Sequence, residues 1–325
     1  MFHVKHGLRS VLKAAMFHVK HLDGGNPKKE CFTWNNRSET SYCSEYQTEQ
    51  NRFSLPVQFV AVRLPSMKLT IAVSNQKGGV GKTTTSINLG ACLAMSGMKT
   101  LIIDLDPQGN ATSGLGMEAT EESNIYAALM EQSATNGRVT PTNVDNLHII
   151  PADINLIGVE VEIRSDEDRE YMLKNMIASL NDEFDFVIID CPPSLGLLTV
   201  NALTAADSVI IPLQTEYYAL EGLRQLLNTV DMIRGSFNPA LEIEGLLFTM
   251  YDSRTSLSNQ VVDEVRSNYK NAIFETIIPR NIRLSEAPSH GLPISMYDVK
   301  SKGSDAYIDL ARELIERNKE RFNRG

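Results

Sequence analysis

Lys77-Gly78-Gly79-Val80-Gly81-Lys82-Thr83-Thr84 is the stretch on which the fold turns. Three glycines within four positions let successive backbone N–H groups turn inward around an anion, as in phosphate-binding loops that end in G-K-[ST]. Immediately before it, Lys68 to Ser74 is a short apolar, β-branched run that predicts a strand. After it, Thr84 to about Ser96 has helical texture, and Gly97 ends that helix. A glycine loop between strand and helix sets the helix dipole and its free N–H groups against a phosphate. In that setting Lys82 reaches the β/γ-phosphates and the Thr83 hydroxyl ligates Mg²⁺.

Further along, Thr100 to Asp104 reads as a second buried strand. Apolar runs recur at Leu147–Ile150, Phe184–Ile189, Ser208–Leu213, Ile243–Met250 and Ala272–Ile278. Helix-period segments near 166–180, 199–206, 219–234 and 257–270 separate most of them. Continuously apolar strands alternating with helices predict an α/β, doubly wound, mostly parallel sheet with helices on both faces, here of the P-loop NTPase type. Such sheets bind ligands at the carboxyl ends of their strands, where the glycine loop falls. From about Ser304, Tyr307, Leu310, Ala311, Leu314 and Ile315 form a stripe wide enough to bury a final helix against the core.

Two acidic motifs support the phosphate loop. Phe184-Asp185-Phe186-Val187-Ile188-Ile189-Asp190 is a buried strand ending in a carboxylate, the position from which a Walker-B aspartate holds the magnesium shell. Asp104-Leu105-Asp106-Pro107-Gln108-Gly109-Asn110 follows the second strand, and a carboxylate there can orient the attacking water. As plain structure, the same residues make a strand-end cap and a turn.

At 325 residues, 42% hydrophobic and 22% charged, the composition is that of an ordinary globular protein. No stretch approaches the ~20 apolar residues of a membrane span. Cys31, Cys43, Cys92 and Cys191 have neither zinc-ligand spacing nor the density of a disulfide scaffold, which suits a reducing cytoplasm. The net charge of −9 is uneven: residues 1–66 hold nine of the 31 Lys/Arg and five of the 40 Asp/Glu, leaving +4 there and −13 in the remainder. An acidic body excludes a broad electrostatic footprint for nucleic acid and leaves room only for a local basic patch assembled across subunits.

Lys77, standing before the glycines, matches the signature lysine of the "deviant Walker A" loop. With Asp104-Leu105-Asp106-Pro107-Gln108, Asp190-Cys191-Pro192-Pro193-Ser194 and Ile278-Pro279-Arg280-Asn281, the region from Met67 to about Arg317 resembles the ParA/Soj partitioning ATPases. The resemblance implies an ATP- and Mg²⁺-dependent sandwich dimer in which Lys77 reaches the nucleotide of the opposite subunit, as an arginine finger does. It implies that residues 77–84 cradle the nucleotide, that Asp106 is needed for hydrolysis, and that Pro279 with Asn281 lies near the adenine. It also implies non-specific DNA contact through Arg254 and Arg283, with Lys300 and Lys302 as weaker members of that patch. Without the family both arginines read as solvated charges. A ParB-like centromere-binding partner and a cytoplasmic, nucleoid-associated location follow from the same likeness.

Two other readings share the loop. A MinD-like membrane-cycling ATPase carries a C-terminal amphipathic helix with bulky apolar and basic faces, whereas the stripe here ends at Ile315 and suits packing. A relative of the nitrogenase iron protein needs thiolates placed for a shared cluster, whereas Cys92 and Cys191 read as small buried hydrophobes.

Residues 1–66 lack a sustained period and are expected to be a disordered extension or the product of a mis-assigned start, with the ATPase domain spanning 67–325. Met1-Phe2-His3-Val4-Lys5-His6 recurs as Met16-Phe17-His18-Val19-Lys20-His21. Two short copies cannot build a repeat fold. The four histidines (His3, His6, His18, His21) admit metal binding as another use. Read as DNA, ATG TTT CAC GTG AAA CAT encodes the hexapeptide and is its own reverse complement. It contains TGTTTCACGTGAAACA, which resembles the parS site that ParB proteins bind, and palindromes suit two-fold-symmetric dimers. The expectation is upstream DNA translated from a start placed too early, with the native protein beginning near Met67. Synonymous codons that break the palindrome, or a mature protein retaining Met1 to Ser66, would overturn it.

Overall fold

The computed structural model describes residues 68–131, 135–162, 168–180, 184–216, 219–269 and 272–322. The expectations for 1–66 lie outside them. Seven strands form one sheet: β1 Leu69–Val73, β2 Thr100–Asp104, β3 Thr140–Pro141, β4 Leu147–Ile150, β5 Phe186–Asp190, β6 Ser208–Gln214 and β7 Glu242–Thr249. Their order is β3-β4-β2-β5-β1-β6-β7, parallel throughout except for the short β3, which pairs antiparallel with β4.

The strands are apolar on both sides because both sides are covered. Along β5, Val187 and Ile189 enter one core while Phe186 and Ile188 enter the other. The first face packs α3 Ile125–Met130, α4 Ile157–Glu162, α5 Met172–Ser179, α6 Leu197–Ala205, α7 Ala219–Ser236 and α8 Ser256–Asn268. The second packs α1 Lys82–Met95, α2 Asn110–Gly114, α9 Ile282–Glu286, α10 Ile294–Tyr297 and α11 Lys302–Phe322. The expected stripe on α11 is buried whole: Tyr307, Leu310, Ala311, Leu314 and Ile315 all sit in the second core. The helix itself continues to Phe322, with Asn318 buried and bonded to Glu244 on β7.

One expected strand is absent. The backbone of residues 272–278 pairs with β7 through an isolated bridge, Leu246 to Ile273, and two N–H bonds from Phe274 and Ile278. Between them, the N–H groups of Glu275 and Thr276 turn away and donate to the Glu313 carboxylate of α11 at 2.8 and 2.9 Å. A side chain 37 residues away thus competes with the ladder, and apolar content alone could not reveal it.

The sheet fixes the site. β1 lies between β5 and β6, so the strand order switches direction there and opens a crevice at the carboxyl ends. The chain leaves β1 into that crevice through two left-handed glycines, Gly79 (φ 72°) and Gly81 (φ 89°), before α1. A second close approach lies beside it. Gly116 after α2 and Gly291 before α10 are both left-handed, and a Cβ on Gly291 would stand 2.7 Å from the Gly116 Cα.

Candidate active site

The loop is held from three sides. Asn75 leaves β1 with its amide nitrogen donating to Pro212 O at 2.7 Å and its Oδ1 accepting from the Lys77 N–H at 3.0 Å. The Thr249 hydroxyl, at the end of β7, donates to Val80 O at 2.8 Å. Lys82 Nζ rests on Lys77 O at 3.2 Å, its ammonium held below the ordinary lysine value by burial against the attraction of Asp190 and Asp106.

Behind the loop, Asp190 ends β5 beside Val73 of β1 and Asp104 of β2 in register. Its two oxygens are used separately: Thr83 donates to Oδ2 at 2.7 Å and Ser86 to Oδ1 at 2.9 Å. Thr83 and Ser86 are three apart on α1 and share a face. Asp190 is fully buried, and burial followed by the neighbouring Asp104 charge pushes its pKa up, against the two hydroxyl bonds. Asp104 is likewise raised by burial, although the Thr112 hydroxyl and N–H donate to its Oδ2 at 2.7 and 2.8 Å. A buried pair of carboxylates facing a hydroxyl and a lysine is the donor set a divalent cation and a phosphate complete.

Asp106 stands beside this group, nearly buried, with its Oδ1 accepting from the Gln108 N–H at 3.0 Å and its own N–H donating to Asp104 at 3.2 Å. Lys77 points to the other side. Its ammonium pairs with Glu216, just beyond β6, at 2.8 Å, and Gln214 donates to the other Glu216 oxygen at 2.5 Å. Pro279 bridges Tyr251, two residues past the Thr249 that touches the loop. Asn281 caps α9, accepting from the Arg283 N–H at 2.8 Å. Both arginines are exposed, yet neither is solvated alone: Arg254 is paired with Asp252, and Arg283 with Glu286 and Asp298. Cys92 and Cys191 are buried thiols, and burial raises the Cys92 pKa to about 12, as expected for packing residues.

Sequence reasoning missed Ser86, Thr112, Glu216 and Asp252. Ser86 was open to discovery through its helical spacing from Thr83, whereas Glu216 meets Lys77 only across 139 residues of chain.

Known proteins fit this geometry. The family model described as an AAA domain matches residues 68–243. The sporulation initiation inhibitor protein Soj of Bacillus subtilis is 55% identical over 245 residues, which cover 75% of this chain and 97% of Soj. The chromosome partitioning protein ParA of Myxococcus xanthus is 53% identical over 249 residues, 76% of this chain and 88% of that protein. Among solved structures, cobyrinic acid a,c-diamide synthase from Mycobacterium smegmatis with bound ADP and magnesium matches with a TM-score of 0.69 at 39% identity, over 78% of this chain and 96% of that one. Identity above one half across 97% of Soj goes well beyond shared fold: the chain belongs to the Soj/ParA family of chromosome-partitioning ATPases.

Proposed function

We propose that this ATPase dimerises on binding ATP with Mg²⁺, binds DNA without regard to sequence, and acts with a ParB-like partner in chromosome or plasmid segregation. The observation that carries the reading is the Thr83 hydroxyl 2.7 Å from Asp190 behind a loop of left-handed glycines. Gly78, Gly79, Val80, Gly81 and Thr84 supply the backbone cradle, and Lys82 turns from Lys77 O to the β/γ-phosphates. Thr83 and Asp190 would hold the magnesium, which would neutralise charge on the phosphate oxygens. Asp106, fixed by Gln108, orients the attacking water. Lys77 exchanges Glu216 for the nucleotide of the opposite subunit, which makes association depend on phosphate occupancy. Pro279 and Asn281 flank the adenine. Arg254 and Arg283 receive DNA phosphates, doubled by the dimer. The α11 stripe is spent on core packing, which favours this reading over a membrane-cycling one.

The deciding experiment measures ATP hydrolysis with and without DNA and the partner, alongside sedimentation with ATP or ADP. Lys77→Ala should bind nucleotide but stay monomeric with ATP. A normal ATP-bound dimer of that variant would remove the action in trans.

A further inference from the structure

Beyond β7 the chain makes a strained turn. Met250 has φ 52°, a left-handed conformation uncommon outside glycine, and it swings Tyr251 to Arg254 off the strand. Within that turn the Asp252 carboxylate grips Arg254: Oδ1 accepts from the backbone N–H at 3.0 Å and from Nε at 2.9 Å, and Oδ2 accepts from Nη2 at 2.7 Å. The Arg254 side chain is 86% exposed, but its fork is already filled by a carboxylate in the bidentate geometry a phosphate would use. Arg283 is similarly engaged, with Glu286 at 2.8 Å and Asp298 at 3.3 Å.

Arg280 lies on the same sheet end. Its N–H donates to Tyr251 O at 2.9 Å, next to the Tyr251–Pro279 bridge. Its side chain is exposed and makes no hydrogen bond or ion pair among the described residues. Its charge still reaches Asp252, whose carboxyl is held at about 2, chiefly by the Arg254 bonds. Arg254 and Arg280 therefore share one patch, the first internally neutralised and the second open, and Arg283, three residues beyond Arg280, is neutralised as well.

We propose that Arg280 is a third DNA-phosphate contact of this patch, and that Asp252 is a built-in counter-ion which a DNA phosphate displaces from Arg254. The inference rests on the reading of Arg254 and Arg283 as the DNA patch. Its physics is an exchange. A phosphate that meets Arg280 releases condensed cations from DNA, worth a slope of about 0.9 in log affinity against log salt. A phosphate that takes Arg254 frees Asp252, which must then recruit a cation, so that contact gains little affinity and little salt dependence. Asp252 thereby keeps each subunit's grip weak and makes DNA binding lean on the dimer.

The test is binding of random-sequence duplex DNA by the full chain with ATP and Mg²⁺ over roughly 50 to 200 mM salt, with dimer formation checked by sedimentation. Asp252→Asn keeps an oxygen for the Arg254 N–H and removes the charge. It should tighten binding severalfold and steepen the salt slope. Weaker or unchanged binding would show that Asp252 only aligns Arg254 and would overturn the counter-ion role. Arg280→Gln should weaken binding severalfold and make the slope shallower, and Arg280→Lys should restore most of both. Wild-type affinity and slope in Arg280→Gln would overturn the third contact. Arg254→Glu measured alongside separates the levels: if it binds as wild type, the patch reading itself fails, and if it alone weakens binding, only this inference does.

Discussion

In the proposed role Asp190 combines two demands that conflict in the absence of a cation: it is buried and so rigid, and it would have to be ionised to hold a metal. Burial and the adjoining Asp104 push its pKa up to about 8, far above an aspartate in an unfolded chain. The sign of the consequence follows from linkage. The folded state binds the proton more tightly than the unfolded state, so stability is present below the unfolded value and is lost as pH rises through the folded one. The nucleotide-free protein should therefore show a falling Tm between about pH 4 and pH 8. Asp190→Asn should flatten that profile while losing magnesium-dependent nucleotide binding. An equally steep profile in the variant would place the titration elsewhere. Asp106 belongs to a different step, since its carboxylate bonds Gln108 and not the Thr83–Asp190 pair. Asp106→Ala should accordingly bind ATP and dimerise, with hydrolysis reduced by about 10²-fold or more, the scale of a lost general base. Normal turnover by that variant would remove Asp106 from the mechanism.

At the scale of elements, the α1–α11 contact ties the phosphate loop to the C-terminus. Tyr307 on α11 is fully buried with its hydroxyl 3.3 Å from that of Thr85 on α1, and Leu310 and Leu314 sit fully buried beneath the same face. Leu310→Ala should cost about 2–5 kcal/mol in urea unfolding, the range for a buried leucine whose cavity cannot collapse. A loss below ~1 kcal/mol would mean that α11 is docked loosely. This helix was legible in advance because its stripe is a local property of the sequence, as was the phosphate loop, which needs only one contiguous strand, turn and helix. Asp190 was legible for the same reason, since an apolar run ending in a carboxylate announces itself. What escaped was decided at a distance or by competition. The apolar run at 272–278 lost its ladder to Glu313, and the two-residue β3 is too short to carry an alternation. Glu216 gave no local signal, and the grip of Asp252 on Arg254 depends on the left-handed turn at Met250.

For the whole molecule, the balance of charge sets the terms of the proposed DNA binding. Residues 67–325 carry −13, so the net field opposes a polyanion and any DNA contact has to rest on a local basic patch. Binding should therefore need ATP, ignore sequence and weaken as salt rises. Arg254→Glu and Arg283→Glu should each weaken it while leaving ATP-dependent sedimentation as a dimer intact. Undiminished affinity in both would return these arginines to ordinary surface charge. Two parts of the chain also meet main chain to main chain, at Gly116 and Gly291. Asp106 O accepts from the Gly109 N–H at 2.9 Å, closing the turn that leads into α2, and α2 ends against the turn that follows α9. Elsewhere in a core, side chains between two backbones can change rotamer and absorb a displacement. Here two bare main chains abut with no side chain between them, so a displacement of α2 would press directly on the backbone turn ahead of α10.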